Sequence, residues 1–346
     1  MKKTSLCTLS GLGGLVAQAA EHAQSQMSTR ARRTHEVELT GGIRRTREFE
    51  KKKLAEFSVN VGTKCGHDCY YCSTGALLRR HPSFKEAGES PFDFGYSIVD
   101  PGIADRVGQD ARRMGSRGLI QLCTFTDAWS PEAQAHDLGR RCLQAILREP
   151  GWSVRILTKN ASVRRDFDLV EDHRDRVLVG LSLTGTPAKQ GELAAIERNA
   201  SPIGDRMAAL EEARRRGLRT YGMLCPLLPA IADDPASINE LVQFCLACGA
   251  EEIFTEPVNP RGPGLRLVQE ALGAENFTVA AQAVGNVRNH KAWSSYCAAL
   301  VSTVQRVMAC AGAMEKLRFL LYPSNLEEDA RRQIRKDQRG VIWLGK

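Results

Sequence analysis

The chain has 346 residues, of which 42% are hydrophobic and 25% charged, and a formal net charge of +8. That length suits one large α/β domain with extensions or two modest domains around a substantial core. The composition is that of a globular protein, no apolar run is long enough to span a membrane, and the charge is only a mild bias towards polyanions.

In chain order, residues 1–26 begin Met1-Lys2-Lys3 and reach Ala17-Gln18-Ala19-Ala20, which superficially matches a signal peptide. Thr, Ser, Cys and three glycines dilute the apolar middle, so the expectation is a disordered leader, with Met27 as an alternative start. Residues 28–53 hold nine Lys or Arg against four Glu. Such a basic arm can contact phosphates, or it is a solvated, partly flexible lead-in. Phe49 and Phe57 are its only nearby aromatics, so no platform for stacking bases is evident.

Next comes Val59-Asn60-Val61-Gly62-Thr63-Lys64-Cys65-Gly66-His67-Asp68-Cys69-Tyr70-Tyr71-Cys72, a strand-like run followed by cysteines at C-x3-C-x2-C spacing. A loop can wrap three thiolates around one small inorganic object, and a [4Fe–4S] cluster so held keeps one iron without a protein ligand. A structural zinc knuckle with His67 or His81 as fourth ligand is the competing reading, although no second cysteine pair sits nearby. Three buried cysteines without a ligand is the third. The total of eleven cysteines is odd. A cluster implies a reducing compartment in which the other thiols stay free.

From residue 57 short β-rich runs recur at Phe57–Val61, Leu119–Phe125, Val154–Thr158, Val177–Leu183, Leu218–Leu224 and Glu252–Thr255. Amphipathic stretches lie between them, with one apolar stripe at Ile103, Val107, Ala111 and Met114 and another at Met207, Leu210 and Ala213. Ser130-Pro131 and Ser201-Pro202 signal helix starts, and Gly118 and Gly217 helix ends. This alternation predicts a parallel sheet, with six units suiting a partial (β/α)6 TIM-type barrel. The expected division is a leader and basic arm over 1–53, partly disordered, a barrel core over 54–258 and a C-terminal helical extension over 259–346. The extension contains a strand-like Leu317–Tyr322 and a charged tail at 326–340.

Parallel barrels gather function at the C-terminal ends of their strands. Those ends carry Thr124-Phe125-Thr126-Asp127-Ala128-Trp129-Ser130-Pro131-Glu132, Thr158-Lys159-Asn160, Ser182 with Thr184, and Cys225-Pro226. Some of these hydroxyls have helix capping as an alternative duty, Ser130 and Thr126 above all. Lys159 is placed to pair with a carboxylate. Cys245-x2-Cys248 invites an auxiliary cluster with Cys297 and Cys310, but two core thiols on one helix face explain the spacing as well. Cys142 and Cys225 read as core, although Cys225 closes a strand and can reach the rim.

The cysteine motif, with Tyr71 directly before Cys72, resembles that of the radical S-adenosylmethionine (SAM) enzymes. The T-D-x-aromatic-x-P-E stretch at 126–132, the Thr158-Lys159 pair and Glu197…Arg206 resemble the spore photoproduct lyase-like branch, over roughly residues 57–258. The resemblance implies a cytoplasmic enzyme whose [4Fe–4S] cluster is held by Cys65, Cys69 and Cys72. It implies Tyr71 beside the adenine of SAM, and Thr126, Lys159 and Ser182 on its amino-acid or ribose portion, with Asp127, Glu197 and Arg206 in the same cofactor set. DNA or RNA as substrate, and an electron donor such as flavodoxin or ferredoxin, are the partners it implies. A peptide or small metabolite is the alternative substrate. The branch's hydrogen-donor cysteine falls at Thr124 here, with Cys123 one residue earlier and, by strand alternation, on the opposite face. Cys123 is therefore a candidate donor only if a bulge turns it round, and otherwise a core residue.

Overall fold

The computed structural model describes residues 33–345. The leader expected over 1–26 and the start of the basic arm lie outside the described residues.

The strands in chain order are β1 (Arg33–Glu36), β2 (Arg44–Arg45), β3 (Phe57–Val59), β4 (Gly62–Lys64), β5 (Tyr96–Val99), β6 (Leu119–Leu122), β7 (Ser153–Thr158), β8 (Val177–Leu181), β9 (Arg219–Thr220), β10 (Gly222–Leu227), β11 (Ile253–Pro257), β12 (Leu317–Leu321) and β13 (Val341–Trp343). They form ladders in the orders β2-β3-β6-β7-β8-β9, β10-β11-β12-β13 and β1-β5-β4. The first two ladders are one continuous sheet: Tyr221 alone separates β9 from β10, and Ser182 bridges Met223 in parallel. Within this continuous sheet every pairing is parallel except that of the edge strand β2, while in the small sheet β1 pairs β5 parallel and β4 pairs β5 antiparallel.

Side-chain alternation gives the sheet two apolar faces. Val154, Ile156, Val177 and Val179 pack under the helices on the outside. Leu178, Tyr221, Met223, Phe254 and Leu320 meet on the inside. On that inner face Arg155 of β7 reaches Glu252, at the entrance to β11, with 3.0 Å between Nη2 and Oε2. Glu252 in turn takes Arg318 of β12 at 3.0 Å. Strands lie about 4.8 Å apart, so contact between β7 and the β11 entrance requires a strongly curved sheet. Gly180 makes room inside this curve, because a Cβ there would lie 2.4 Å from the Tyr221 ring.

Three expectations change. The parallel sheet does not stop at six strands: β12, at the strand-like Leu317–Tyr322, and β13 continue it. The short Val-Ile-Trp run of β13 follows a charged helix, Glu328–Lys336, and carries no alternation long enough to signal a strand. The lead-in over 33–53 is folded against the sheet rather than loose. Phe49 and Leu54 pack into the inner cluster, and Tyr322 donates to Glu48 at 2.6 Å. Gly118 caps no helix. The preceding helix, Ile103–Arg113, ends with Met114 in extended backbone, and Gly118 instead leads into β6. Gly217, with φ of +70°, does occupy the left-handed position past a helix end.

Candidate metal and cofactor site

The cysteine loop leaves β4 at the C-terminal edge of the sheet and is tied down from three sides. Gly62, at its start, lies so close to Ile98 that a Cβ would come 2.0 Å from that carbonyl oxygen. Gly66 donates its N–H to Glu132 at 2.9 Å, and Ser130 donates to the same oxygen at 2.6 Å. On the far side Tyr70 N–H donates to Ile196 O at 2.9 Å, Asn199 N–H to His67 O at 3.1 Å, and Cys69 bridges Glu197. Asn60, just past β3, accepts from the N–H groups of Thr124 and Phe125 at 2.8 Å each, which fixes the turn after β6.

Cys65, Cys69 and Cys72 line one cavity, together with Lys64, Asp68, Phe84, Phe92, Phe94 and Phe125 among others. Cys69 is buried, Cys65 partly buried and Cys72 exposed. Burial pushes the Cys65 thiol well up, helped by Glu132, and Cys69 is pushed up to about 12 by burial and Glu197. Thiols so placed hold their protons until a metal displaces them. Neither histidine offered as a fourth zinc ligand lines this cavity, although His67 Nε2 is buried with no hydrogen-bond partner. His67 Nδ1 lies 3.4 Å from Asp127 Oδ2, and His81 caps the helix Pro82–Glu86 through Nδ1. Among the described residues no three His, Cys, Asp or Glu side chains gather as a single-ion site. Three soft thiols around one cavity match the donor set of an iron–sulfur cluster.

Behind the cysteines lies a buried charge pair. Arg206, from the helix Ile203–Arg215, binds Glu197 through Nη2 and donates Nη1 to Ser182 O at 3.0 Å and Nε to Ser201 O at 2.7 Å. Glu197 also accepts from Tyr71 and, at 2.9 Å, from Thr184. Burial alone pushes the Glu197 carboxyl up. The charges of Arg206 and Lys159 and the hydrogen bonds outweigh it, so the group ends below the ordinary range. Lys159 closes this side, its Nζ 5.6 Å from the centre of the Tyr71 ring. Tyr71, Lys159, Ser182, Glu197 and Arg206 thus form one linked wall behind the cysteines, and none of the five lines the three-cysteine cavity itself.

Asp127 stands apart in kind. Its carboxylate accepts from Thr158 Oγ1 at 2.8 Å and from the N–H groups of Trp129 and Lys159 at 2.9 Å each. It braces the ends of β6 and β7 and orients His67. Asp127→Asn puts an amide N–H where one of these donors now points, and is expected to cost about 1–3 kcal/mol. A denaturation midpoint unchanged from the wild type would contradict that bracing role. Thr126 is half-buried, with Oγ1 3.5 Å from Cys123 Sγ. Cys123 follows the last residue of β6 with φ of +67° and lies in the core between sheet and helices, outside the lining of the three-cysteine cavity.

Cys245 and Cys248 are buried in two different core clusters, Cys297 is buried in the helix His290–Cys310, and Cys310 is exposed at its end. They are not brought together. Cys225 does reach the rim, with its thiol 3.7 Å from Glu256 Oε2, and Lys52 Nζ lies 3.8 Å from the same carboxylate oxygen. Two participants escaped the sequence reading. Lys64 reaches the carbonyl oxygens of Pro91, at 3.3 Å, and Asp93, beneath the Phe94 and Tyr96 rings. Phe92 and Phe94 form the cavity's outer wall. Only the quoted position of Lys64 beside Cys65 hinted at either.

No family model matches the sequence. An uncharacterized protein of Acidianus two-tailed virus is 23% identical over 228 residues, covering 64% of this chain and 73% of the relative. An uncharacterized protein of Mycobacterium tuberculosis (strain ATCC 25618 / H37Rv) is 25% identical over 212 residues, 60% of this chain and 59% of the relative. The match therefore spans less than two thirds of the mycobacterial relative's length. Among solved structures, a spore photoproduct lyase complexed with dinucleoside spore photoproduct superposes at TM-score 0.49 and 17% identity, covering 69% of this chain and 66% of that one.

Proposed function

We propose that the chain is a radical SAM enzyme built on a partial parallel barrel and acting in the cytoplasm. The observation that carries this reading is the C-x3-C-x2-C loop at the C-terminal edge of a parallel sheet, with its three thiols lining one cavity. Cys65, Cys69 and Cys72 would hold a [4Fe–4S] cluster. When bound, that cluster supplies the electron that splits SAM into methionine and a 5′-deoxyadenosyl radical, which takes a hydrogen atom from the substrate. The chain's own residues do the positioning. The Lys159 ammonium would pair with the carboxylate of SAM, while Tyr71, fixed by its hydrogen bond to Glu197, would offer its ring to the adenine. Thr126 and Ser182 offer hydroxyls, and the Glu197–Arg206 pair holds this wall rigid. DNA or RNA is the proposed substrate class. Arg44, Arg45, Arg47 and Lys51 are exposed on the folded lead-in, which supports it.

Equilibrium binding of SAM to the reconstituted protein tests the site. Lys159→Met is expected to weaken binding about 10- to 100-fold, the value of a hydrogen bond to a charged group. Unchanged affinity would remove Lys159 from the cofactor site. Binding to nucleic acid that weakens steeply with salt would support that substrate class, and salt-independent or absent binding would favour a peptide or small metabolite.

A further inference from the structure

We infer that the groove between the helices Ile103–Arg113 and Leu138–Leu147 binds a small phosphate-bearing anion, at a place separate from the three-cysteine cavity. The two helices pack side by side on the outer face of the sheet. Small residues let them approach: a Cβ on Gly108 would lie 3.6 Å from the Ala145 Cβ. Asp105 and Arg141 meet at one end, 3.9 Å apart. About one turn beyond Gly108 and Ala145 come Arg112 and Arg148. The helices therefore run in the same direction and carry these two long side chains to the same end. The groove between them, about 320 Å³, shares no lining residue with the cysteine cavity.

Three arginines line this groove, Arg112, Arg141 and Arg148, against the single carboxylate of Asp105. Arg141 is already engaged. Its Nη1 donates to the carbonyl oxygens of Pro101 at 3.0 Å and His136 at 3.3 Å, and Asp105 lies beside its Nη2. Arg112 and Arg148 are exposed, and among the described residues neither forms an ion pair, whereas Arg106 and Arg140 on the same two helices do. Arg112 folds back along its helix, with Nη1 3.6 Å from where a Gly108 Cβ would stand. A cation at either helix C-terminus is favourable by itself. Two guanidinium groups lining one groove repel each other, and an anion between them offsets that repulsion. Gln109 and Gln144, in the intervening turns, add amide donors. Planar guanidinium forks match the paired oxygens of a phosphate group. No aromatic ring lines the groove, so nothing there stacks a base, and its volume lies at the lower end of small-ligand sites. The ligand class is therefore inorganic phosphate or a small phosphate ester rather than a nucleic-acid chain.

Titration calorimetry of the full chain with inorganic phosphate and with pyrophosphate, at constant ionic strength, tests the site. The wild type should bind both, and the paired substitution Arg112→Gln with Arg148→Gln should weaken binding about tenfold or more. Ala145→Leu, which fills the groove floor without changing its charge, should weaken binding too. Arg113→Gln with Arg215→Gln removes the same charge from exposed positions outside the groove and should leave binding unchanged. Circular dichroism should match the wild type in every variant. A wild type that binds neither anion would overturn the inference, as would an equal loss in the pair outside the groove. So would a single-stranded oligonucleotide that binds through Arg112 and Arg148 when neither small anion does, because the groove would then serve a polymer backbone.

Discussion

Cys69→Ala, reconstituted anaerobically with iron and sulfide, should show no reduced [4Fe–4S] EPR signal and no detectable 5′-deoxyadenosine. Cys69 lies between the other two ligands in the chain and is the most enclosed of the three. Two thiolates cannot replace three around a cluster with one open iron, so loss of one ligand should remove the cofactor rather than retune it. The substitution should leave the fold standing. The loop is held at Gly66, His67 and Tyr70 through backbone groups, and these contacts do not use the Cys69 side chain. Circular dichroism unchanged beside an absent EPR signal is therefore the expected pair of results. A Cys69→Ala protein that retains four irons and cleaves SAM would refute the ligand assignment. Stoichiometric zinc in the wild type, with no iron spectrum, would restore the zinc-knuckle reading and point to a zinc-stabilised nucleic-acid-binding protein instead of an enzyme.

What could be read in advance divides along a physical line. The inner strands of the sheet, β3, β6, β7 and β8, are largely buried on both faces, and such strands announce themselves as short runs rich in apolar residues, broken here by Ser58, Gln121 and Arg155. The cysteine spacing was equally legible, because a ligand loop needs fixed offsets along the chain. β1, Arg-Thr-His-Glu, is largely exposed and paired only with β5, so no hydrophobic pattern marks it. The wall of Phe92 and Phe94, and the placement of Lys64 beneath it, depend on the antiparallel approach of β4 to β5. That is a tertiary event without a local signature. Asp127 shows a subtler limit. Its motif marks it as important, yet only the structure reveals that Thr158, Lys159 and Trp129 already occupy its oxygens.

Glu197→Ala should destabilise the protein by about 3–5 kcal/mol, the cost of leaving one member of a buried ion pair without its partner. Arg206 is fully enclosed, and its remaining partners, the carbonyl oxygens of Ser182 and Ser201 and the Thr184 hydroxyl, bring no formal charge. The hydroxyls of Tyr71 and Thr184 lose their acceptor in the same stroke. Replacing both members by apolar residues, Glu197→Leu with Arg206→Met, should cost less than Glu197→Ala alone, because no bare charge then remains buried. Chemical denaturation of the wild type, Glu197→Ala and the double variant at neutral pH gives both comparisons. The sign of the pH dependence follows from Glu197. Its folded carboxyl lies below the ordinary 4.5, so its stabilisation is present above that value and fades as pH falls through the lowered one. The stability gap between wild type and Glu197→Gln should therefore narrow on acidification below 4.5. A gap that is under about 1 kcal/mol at neutral pH, the range of an exposed pair, would mean that water reaches this wall. The wall would then not be the rigid, dry support that the proposed SAM site requires.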